Sequence, residues 1–292
     1  METKKKKIGF ILNPYAGIGG KAGLKGSDNY KKIEKLLLEG CERIAPKRAE
    51  SCMSKIADLT ASLVAGDKGL VGEKNFSILS APGDMGEALL KKLKIPCDVV
   101  LCPEVHTSSA EDTKLCAQIM KEQGVDLLVF CGGDGTARDI CEAVGTDVTV
   151  LGIPAGVKMY SACYACNPYQ AGEMLAGWLE GKEMSYEMRE VLDIEEKDLD
   201  SRNISPQLYG FLEVLSDGKH LQKAKELDLG SGESATIIAR AAILRMEKDW
   251  VYIIGPGGTT WKIKELLCEN DEQEDTGKKN VRGTVRGVDV IR

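Results

Sequence analysis

The sequence predicts an α/β protein: an N-terminal doubly wound parallel sheet, followed by a second, β-rich domain. Three observations support this prediction. Short, continuously apolar runs alternate with helical patterns as far as about residue 182. Most of these runs end at glycine, proline or polar residues, and from about residue 183 apolar and polar residues partly alternate instead. Apolar strands separated by helices are typical of a parallel sheet that is covered on both faces.

The predicted elements of the first domain follow from hydrophobic periodicity. Continuous apolar runs predict strands at residues 8–13, 76–81, 97–102, 125–131 and 148–153, and the fourth of these, VDLLVFC, is the most apolar. Apolar residues at helical spacing predict helices over about residues 28–40, 46–64, 84–94, 107–123 and 137–144. The helix at 107–123 begins with Thr and Ser residues that are suited to capping.

The predicted second domain begins where the periodicity changes. The segments MSYEMREVLDIEE and QLYGFLEVLSD predict half-exposed antiparallel strands. A helix is predicted at 233–247, a strand at 250–255, and a further helix at WKIKELLC after the turn PGGTT. We therefore expect a nucleotide-binding domain at 1–182 and a β-rich domain at 183–292, part of which returns to the first domain.

Composition excludes several classes of protein. The chain of 292 residues is 43% hydrophobic and 29% charged, which is typical of a globular protein. Its net charge of −6 disfavours a general nucleic-acid binder, because phosphate contacts require a basic surface. No apolar run is long enough for a membrane span, and the start of the chain lacks the pattern of a signal peptide, so we expect a cytoplasmic protein. Neither of the 2 histidines lies in a paired motif, which disfavours a histidine triad or a zinc site.

The strongest chemical signal is the pentapeptide Gly132-Gly133-Asp134-Gly135-Thr136, directly after the most apolar strand. Glycines allow the backbone to turn sharply and to approach a ligand closely. The next element is a predicted helix, whose N-terminal N–H groups favour an anion such as phosphate. An acid beside a phosphate site would be repelled by the phosphates, so Asp134 is predicted to serve as a general base for a hydroxyl group or as a Mg²⁺ contact.

Two local patterns qualify this prediction. Thr136 and Asp139 have the spacing of a capping box, so part of the motif is expected to be structural. The chain contains no GxxxxGK[ST] sequence, which disfavours a P-loop nucleotidase.

The pentapeptide resembles the signature of the NAD kinase and diacylglycerol kinase superfamily. Four further segments strengthen the resemblance: Asn13–Gly20, Thr107–Thr113, Val150–Lys158 and Gly255–Thr260. In this order they resemble one branch of the ATP-NAD kinase family, the predicted ATP- or polyphosphate-dependent NAD kinases, which includes a protein of acetoin catabolism. Members of that branch continue beyond the equivalent of residues 287–290, so the resemblance leads us to expect a further terminal segment.

The resemblance implies a two-domain kinase that uses ATP or polyphosphate, with Mg²⁺ held through the phosphates rather than by protein ligands. It implies that NAD is the acceptor and that Asp134 is the base for the ribose 2′-hydroxyl. It also implies nucleotide or phosphate contacts at Asn13, Gly132, Gly133, Gly135 and Thr136. Further candidate substrate contacts are Thr107, Asp112, Gly156, Lys158, Ser161, Glu213, Thr259 and Thr260.

One departure from the family pattern concerns the acceptor. NAD kinases carry an Asn-Glu pair near the start of the second domain, whereas the nearest equivalent here is Leu212-Glu213. Two alternatives to NAD phosphorylation therefore stay open: a kinase of another alcohol, such as a lipid or a small polyol, or a nucleotide-binding regulator related to acetoin catabolism. The sequence shows no sign of a membrane or nucleic-acid partner, and a homodimer is the default expectation.

Overall fold

The computed structural model describes residues 5–18, 35, 37–64, 76–101, 108–156, 159–193, 206–222, 232–247, 250–255, 258–271 and 289–291. Its strands are β1 (Lys6–Leu12), β2 (Phe76–Ser80), β3 (Asp98–Val99), β4 (Leu127–Gly132), β5 (Val150–Pro154), β6 (Ser185–Asp193), β7 (Gln207–Ser216), β8 (Tyr252–Ile254) and β9 (Asp289–Ile291). Its helices are α1 (Ile44–Val64), α2 (Glu87–Lys92), α3 (Ala110–Glu122), α4 (Asp134–Val144), α5 (Pro168–Leu179), α6 (Gly232–Ile243) and α7 (Gly258–Asp271), with a 3₁₀ turn at Gly83–Met85.

Seven strands form one sheet in the order β3-β2-β1-β4-β5-β7-β6. All neighbours from β3 to β7 pair in parallel, and β6 pairs antiparallel with β7. Every residue of β4 is buried, as expected for a strand at the centre of a covered sheet. The predicted α/β class with a largely parallel sheet is therefore confirmed.

The core lies on both faces of this sheet. Side chains of β4 alternate between the faces, so that Leu127 and Val129 pack with α1 and α5, whereas Leu128 and Phe130 pack with α3 and α4. This alternation is the consequence of the two-residue period of a strand. Helices on both faces give the doubly wound arrangement that the apolar runs predict.

The register of the central strands aligns their carboxyl ends. Leu12 of β1 pairs with Cys131 of β4, and Gly132 of β4 pairs with Pro154 of β5. The segments that follow these three strands therefore emerge side by side at one edge of the sheet. Ligands of open α/β sheets bind at this edge.

Several predicted elements differ in extent or lie outside the described residues. The strand predicted at 97–102 is only the two-residue β3, and Leu101 beyond it is 89% exposed, because this strand lies at the edge of the sheet. The helix predicted from residue 107 begins at Ala110. Helix α5, which the periodicity did not predict, begins at an Asn167 cap followed by Pro168. Most of the helix predicted at 28–40 falls outside the described residues.

The chain divides into two compact units, Met1–Lys225 and Glu226–Arg292. The first contains the seven-stranded sheet, and its antiparallel pair β6–β7 confirms the antiparallel strands predicted after residue 183. The second contains α6, α7 and the antiparallel pair β8–β9. The predicted domain division at residue 182 stays a prediction. It coincides with the change to antiparallel pairing, whereas the two compact units divide after Lys225.

Among the described residues, no helix has the length and apolar character needed to cross a bilayer.

Candidate active site

Helix α4 begins inside the glycine-rich motif, at Asp134. Its cap residue Gly133 is extended, and no side chain caps the helix. The first helical hydrogen bond runs from the Ala137 N–H to the Gly133 oxygen. The N–H groups of the preceding residues therefore have no partner within the helix, as is general for the first turn of a helix.

The predicted capping box of Thr136 and Asp139 is wrong. Thr136 lies within the first turn of α4 rather than before it, so its hydroxyl is not placed to cap the helix. That hydroxyl instead accepts a hydrogen bond of 3.0 Å from Nδ2 of Asn13. Thr136 thus joins the motif to the end of β1.

The Asp134 carboxylate is held by two backbone N–H groups. Oδ2 accepts a hydrogen bond of 2.8 Å from the N–H of Tyr160, and Oδ1 accepts one of 3.0 Å from the N–H of Ser161. Burial raises the pKa of Asp134 above its ordinary value, although the hydrogen bonds from Ser161 and Tyr160 act in the opposite direction. The carboxylate is therefore fixed in orientation and more basic than a free aspartate.

Asn13 fixes the segment that follows β1. Its backbone N–H donates to the oxygen of Cys131 at 2.9 Å, which continues the β1–β4 ladder. Its side-chain Oδ1 accepts a hydrogen bond of 3.1 Å from the N–H of Tyr15. Together with the bond to Thr136, these contacts place Asn13 between the first loop and the pentapeptide.

Close packing explains two of the glycines. A Cβ on Gly132 would lie 2.3 Å from the Cβ of Thr136, so no side chain fits there. Gly17 has a φ of +81°, and a Cβ on it would lie 2.2 Å from the carbonyl oxygen of Ala155. The loop after β1 and the loop after β5 therefore contact one another, and Gly156 lies against Gly133 on the same side.

Two buried residues anchor this cluster: Tyr164, which the sequence does not mark as a candidate, and Ser161, which it does. The hydroxyl of Tyr164 donates a hydrogen bond of 2.6 Å to the oxygen of Gly133, and its ring packs edge-on against Phe130. The hydroxyl of Ser161 donates to the oxygen of Leu192 at 2.9 Å and accepts from the N–H of the same residue at 3.0 Å. Ser161 was predicted as a substrate contact, but neither its anchoring role nor the contacts of Tyr164 and Leu192 follow from a sequence motif.

A second carboxylate, that of Asp193, borders the first turn of α4. Its Oδ2 forms an ion pair with Nη1 of Arg138 at 3.1 Å, and it would lie 3.9 Å from a Cβ on Gly135. The guanidinium of Arg138 also lies 5.5 Å from the centre of the Tyr209 ring. The charge of Asp193 adds to the rise in the pKa of Asp134. No motif marks Asp193, which lies in the acidic sequence VLDIEE.

The structure brings together only some of the predicted site residues. Asn13, the pentapeptide, Gly156 and Ser161 converge at the carboxyl edge of the sheet. Asp112 is buried and completes a capping box with Ser109, which accounts for its place in the first turn of α3.

The remaining candidates lie elsewhere. Glu213 is at the opposite edge of the sheet, where its carboxylate accepts a hydrogen bond from Thr149, the residue before β5. Thr259 and Thr260 belong to the second compact unit, in the first turn of α7. Thr107 and Lys158 fall outside the described residues.

Comparison with known proteins identifies the part of the chain that carries this cluster. Residues 8–183 match the family model of the ATP-NAD kinase N-terminal domain. The match contains Asn13, Asp134, Ser161 and Tyr164, and it ends before Asp193. A comparison with curated proteins found no match.

Proposed function

Because the chain belongs to the ATP-NAD kinase family, we propose that it transfers a phosphoryl group to the 2′-hydroxyl of NAD and so produces NADP. The phosphoryl donor in this proposal is ATP or polyphosphate. Membership of the family supports a kinase, and the proposed acceptor depends on the geometry around Asp134. The predicted cytoplasmic location and the predicted homodimer stay predictions of the sequence.

One observation carries the proposal: the Asp134 carboxylate is clamped by the N–H groups of Tyr160 and Ser161. Each oxygen accepts one backbone hydrogen bond, and a carboxylate offers about four lone pairs, so lone pairs remain for the proton of an incoming hydroxyl group. The raised pKa brings Asp134 closer to the range in which a general base is effective near neutral pH. Both features suit the removal of a proton from an alcohol during phosphoryl transfer.

The donor phosphates would lie against the first turn of α4. The N–H groups of Gly135 and Thr136 point out of this turn, and the positive end of the helix dipole lies there as well. Gly133 has no side chain that would obstruct the approach. Phosphoryl transfer depends mainly on such positioning and charge stabilisation.

The residues of the site fit a Mg²⁺ ion that is carried by the donor. The described residues contain no group of three or more potential ligands that would hold a metal by themselves. Mg²⁺ commonly keeps several waters and binds through one or two carboxylates plus substrate phosphates. Asp134 is the carboxylate at the start of α4 that could contact such an ion. The ion would neutralise charge on the phosphates.

A second candidate function, phosphorylation of another alcohol, is favoured by the position of Leu212 and Glu213. Leu212 is fully buried, and Glu213 lies at the opposite edge of the sheet from Asp134. Neither takes the place of the acceptor-binding pair of NAD kinases near Asp134. A kinase with a lipid or polyol acceptor would keep the same base and phosphate site.

The test is an assay of the purified protein with ATP or polyphosphate, Mg²⁺ and NAD, in which NADP is measured by enzymatic cycling. We expect NADP to form, and Asp134→Asn to lower turnover by about 10²–10⁴ because the base is removed. The variant Asp147→Asn, at an exposed ion pair with Lys121, is the matched control. Turnover of another alcohol but not of NAD would support the second candidate, and binding of NAD and ATP without any turnover would support a regulator.

A further inference from the structure

Arg48 connects the second turn of α1 with the carboxyl edge of the seven-stranded sheet. Its Nη1 donates hydrogen bonds to the carbonyl oxygen of Pro154 at 3.0 Å and to that of Gly156 at 3.5 Å. The Cα of Gly156 would lie 3.9 Å from a Cβ on Gly133. The guanidinium of Arg48 therefore lies beside the loop after β5, which packs against the glycine before Asp134.

These two bonds use only part of the hydrogen-bonding capacity of Arg48. A guanidinium carries five N–H groups, and both bonds come from Nη1, so the N–H groups of Nη2 and Nε remain for another partner. The side chain is half-buried, so these groups are only partly solvated. An acceptor that reached them from the carboxyl edge of the sheet would complete the hydrogen bonding of the guanidinium.

The charge of Arg48 has no carboxylate as an ion-pair partner among the residues that the structure describes. Its neighbours in the sequence, Glu42 and Glu50, form ion pairs with Lys47 and Lys92 instead. The first turn of α1 contains no acidic residue, and the dipole of a helix disfavours a cation near its start. An anionic ligand would therefore be attracted to Arg48 without competition from a protein carboxylate.

Arg138, on α4, differs from Arg48 in this respect. Its Nη1 forms an ion pair with Asp193 at 3.1 Å, and its guanidinium lies 5.5 Å from the centre of the Tyr209 ring. A phosphoryl donor brings further negative charge to an edge of the sheet that already carries Asp134 and Asp193. A cation that is not held by a carboxylate is therefore needed there in addition to the Mg²⁺ that accompanies the donor.

We propose that Arg48 binds a phosphate group of the phosphoryl donor through the N–H groups of Nη2 and Nε. This inference rests on the proposed function, and it names the side chain that holds the donor from the side of the loop after β5. The planar fork of a guanidinium matches two oxygens of one phosphate, which a lysine ammonium does not. ATP and polyphosphate both offer such a group.

The experiment is isothermal titration calorimetry of the full chain with Mg²⁺ and either a non-hydrolysable ATP analogue or tripolyphosphate, in the absence of NAD. The ligand that the wild type binds more tightly identifies the donor. We expect Arg48→Met to weaken binding of that ligand about tenfold or more, and Arg48→Lys to weaken it less because the charge is kept. Unchanged affinity in Arg48→Met, or no binding of either ligand to the wild type, would overturn the proposal.

The dependence on salt separates binding of a phosphate from mere support of the loop. Salt screens the attraction between a guanidinium and a phosphate, so the difference in affinity between the wild type and Arg48→Met should shrink as the NaCl concentration rises. If Arg48 only anchored the carbonyl oxygens of Pro154 and Gly156, its replacement would weaken binding by a factor that does not change with salt. That result would also overturn the proposal.

The matched control is Lys47→Met, which removes the same charge at the adjacent position, where the exposed lysine pairs with Glu42. We expect it to change affinity by no more than about twofold, and a loss equal to that of Arg48→Met would contradict a direct contact. Thermal unfolding shows whether each variant is folded. If Arg48→Met is not, Arg48→Gln, which keeps an amide N–H for the loop, gives the same test.

The proposal about Arg48 and the proposed function can fail separately. Binding of the donor that depends on Arg48, together with no turnover of NAD, would leave the role of Arg48 intact and contradict the acceptor. Production of NADP with the same KM for the donor in the wild type and in Arg48→Met would support the proposed function and contradict the role of Arg48.

Discussion

The hydroxyl of Tyr164 donates a hydrogen bond of 2.6 Å to the carbonyl oxygen of Gly133, the residue immediately before Asp134. Tyr164 is fully buried, and burial raises the pKa of its hydroxyl well above the ordinary value. The hydroxyl therefore stays a neutral donor at neutral pH. The backbone next to Asp134 is thus anchored by a side chain that lies 31 positions after Gly133 in the chain.

Replacement of Tyr164 by phenylalanine tests this support. Tyr164→Phe keeps the ring contact with Phe130 but leaves the Gly133 oxygen without this donor. The Gly133 oxygen keeps its hydrogen bond from the Ala137 N–H, so we expect the free energy of unfolding to fall by about 0.5–1.5 kcal/mol, the usual net contribution of one hydrogen bond. Urea unfolding measures the change. The control Tyr169→Phe removes an exposed hydroxyl and should change stability by less than about 0.5 kcal/mol. Equal losses in the two variants would contradict the anchoring role.

The local parts of this site were predictable from sequence. A continuous apolar run is sufficient to indicate β4, and three glycines beside an acid indicate the turn after it. The parallel register then follows from the alternation of strands and helices. These features depend on neighbours in the sequence, which is why the sequence alone is sufficient to identify Asp134 and its glycines.

The supporting residues were not predictable, because their contacts join distant parts of the chain. Arg138 and Asp193 are 55 positions apart, and nothing in the sequence around either residue specifies the other. For Glu213, the sequence predicts a contact with the acceptor that the fold does not place near Asp134. Val214 pairs with Val150, which brings Glu213 beside Thr149 at the other edge of the sheet.

The raised pKa of Asp134 predicts the pH dependence of activity. Only the ionised carboxylate accepts a proton, so kcat/KM should rise with pH and level off above the pKa of Asp134. Because burial raises this pKa, the acidic limb should lie at higher pH than for an ordinary aspartate. A pH profile of kcat/KM in the wild type measures this limb. The remaining kcat/KM of Asp134→Asn should not change with pH in the same region. A limb that persists in the variant would assign the titration to another group.

The raised pKa of Asp134 also makes the free energy of unfolding depend on pH. The pKa of Asp134 is higher in the folded protein than in the unfolded chain, so the folded state holds this proton more tightly. The contribution of Asp134 to stability is therefore present below the unfolded pKa and is lost as the pH rises through the folded pKa. Urea unfolding across the acidic range should show this trend in the wild type and not in Asp134→Asn.

Replacement of Asp193 by asparagine tests the coupling between the two carboxylates. Asp193→Asn removes a negative charge that raises the pKa of Asp134, so the acidic limb of kcat/KM should move to lower pH. Loss of the partly buried ion pair with Arg138 should also lower stability by about 1 kcal/mol. The control Asp147→Asn removes an exposed charge and should leave the limb in place. An unchanged limb in Asp193→Asn would show that the two carboxylates do not interact.

The contact between the loops after β1 and β5 predicts different effects for two glycines that have similar backbones. Gly17 and Gly40 have φ values of +81° and +87°, so an alanine is strained at either position. A Cβ on Gly17 would also meet the Ala155 oxygen at 2.2 Å, whereas a Cβ on Gly40 would meet no atom within 4 Å. Gly40→Ala therefore isolates the cost of the backbone conformation, which is about 1–2 kcal/mol.

We expect Gly17→Ala to lower the free energy of unfolding by at least about 3 kcal/mol, because the clash with the Ala155 oxygen adds to the backbone strain. The loop that carries Asn13 must move away, and Asn13 then loses its position beside Thr136. Turnover should fall about tenfold or more, since small displacements of positioning groups are costly to catalysis. Urea unfolding and the NADP assay measure both effects, with Gly40→Ala keeping near wild-type turnover. Equal stability and equal turnover in the two variants would show that the two loops separate without consequence for the site.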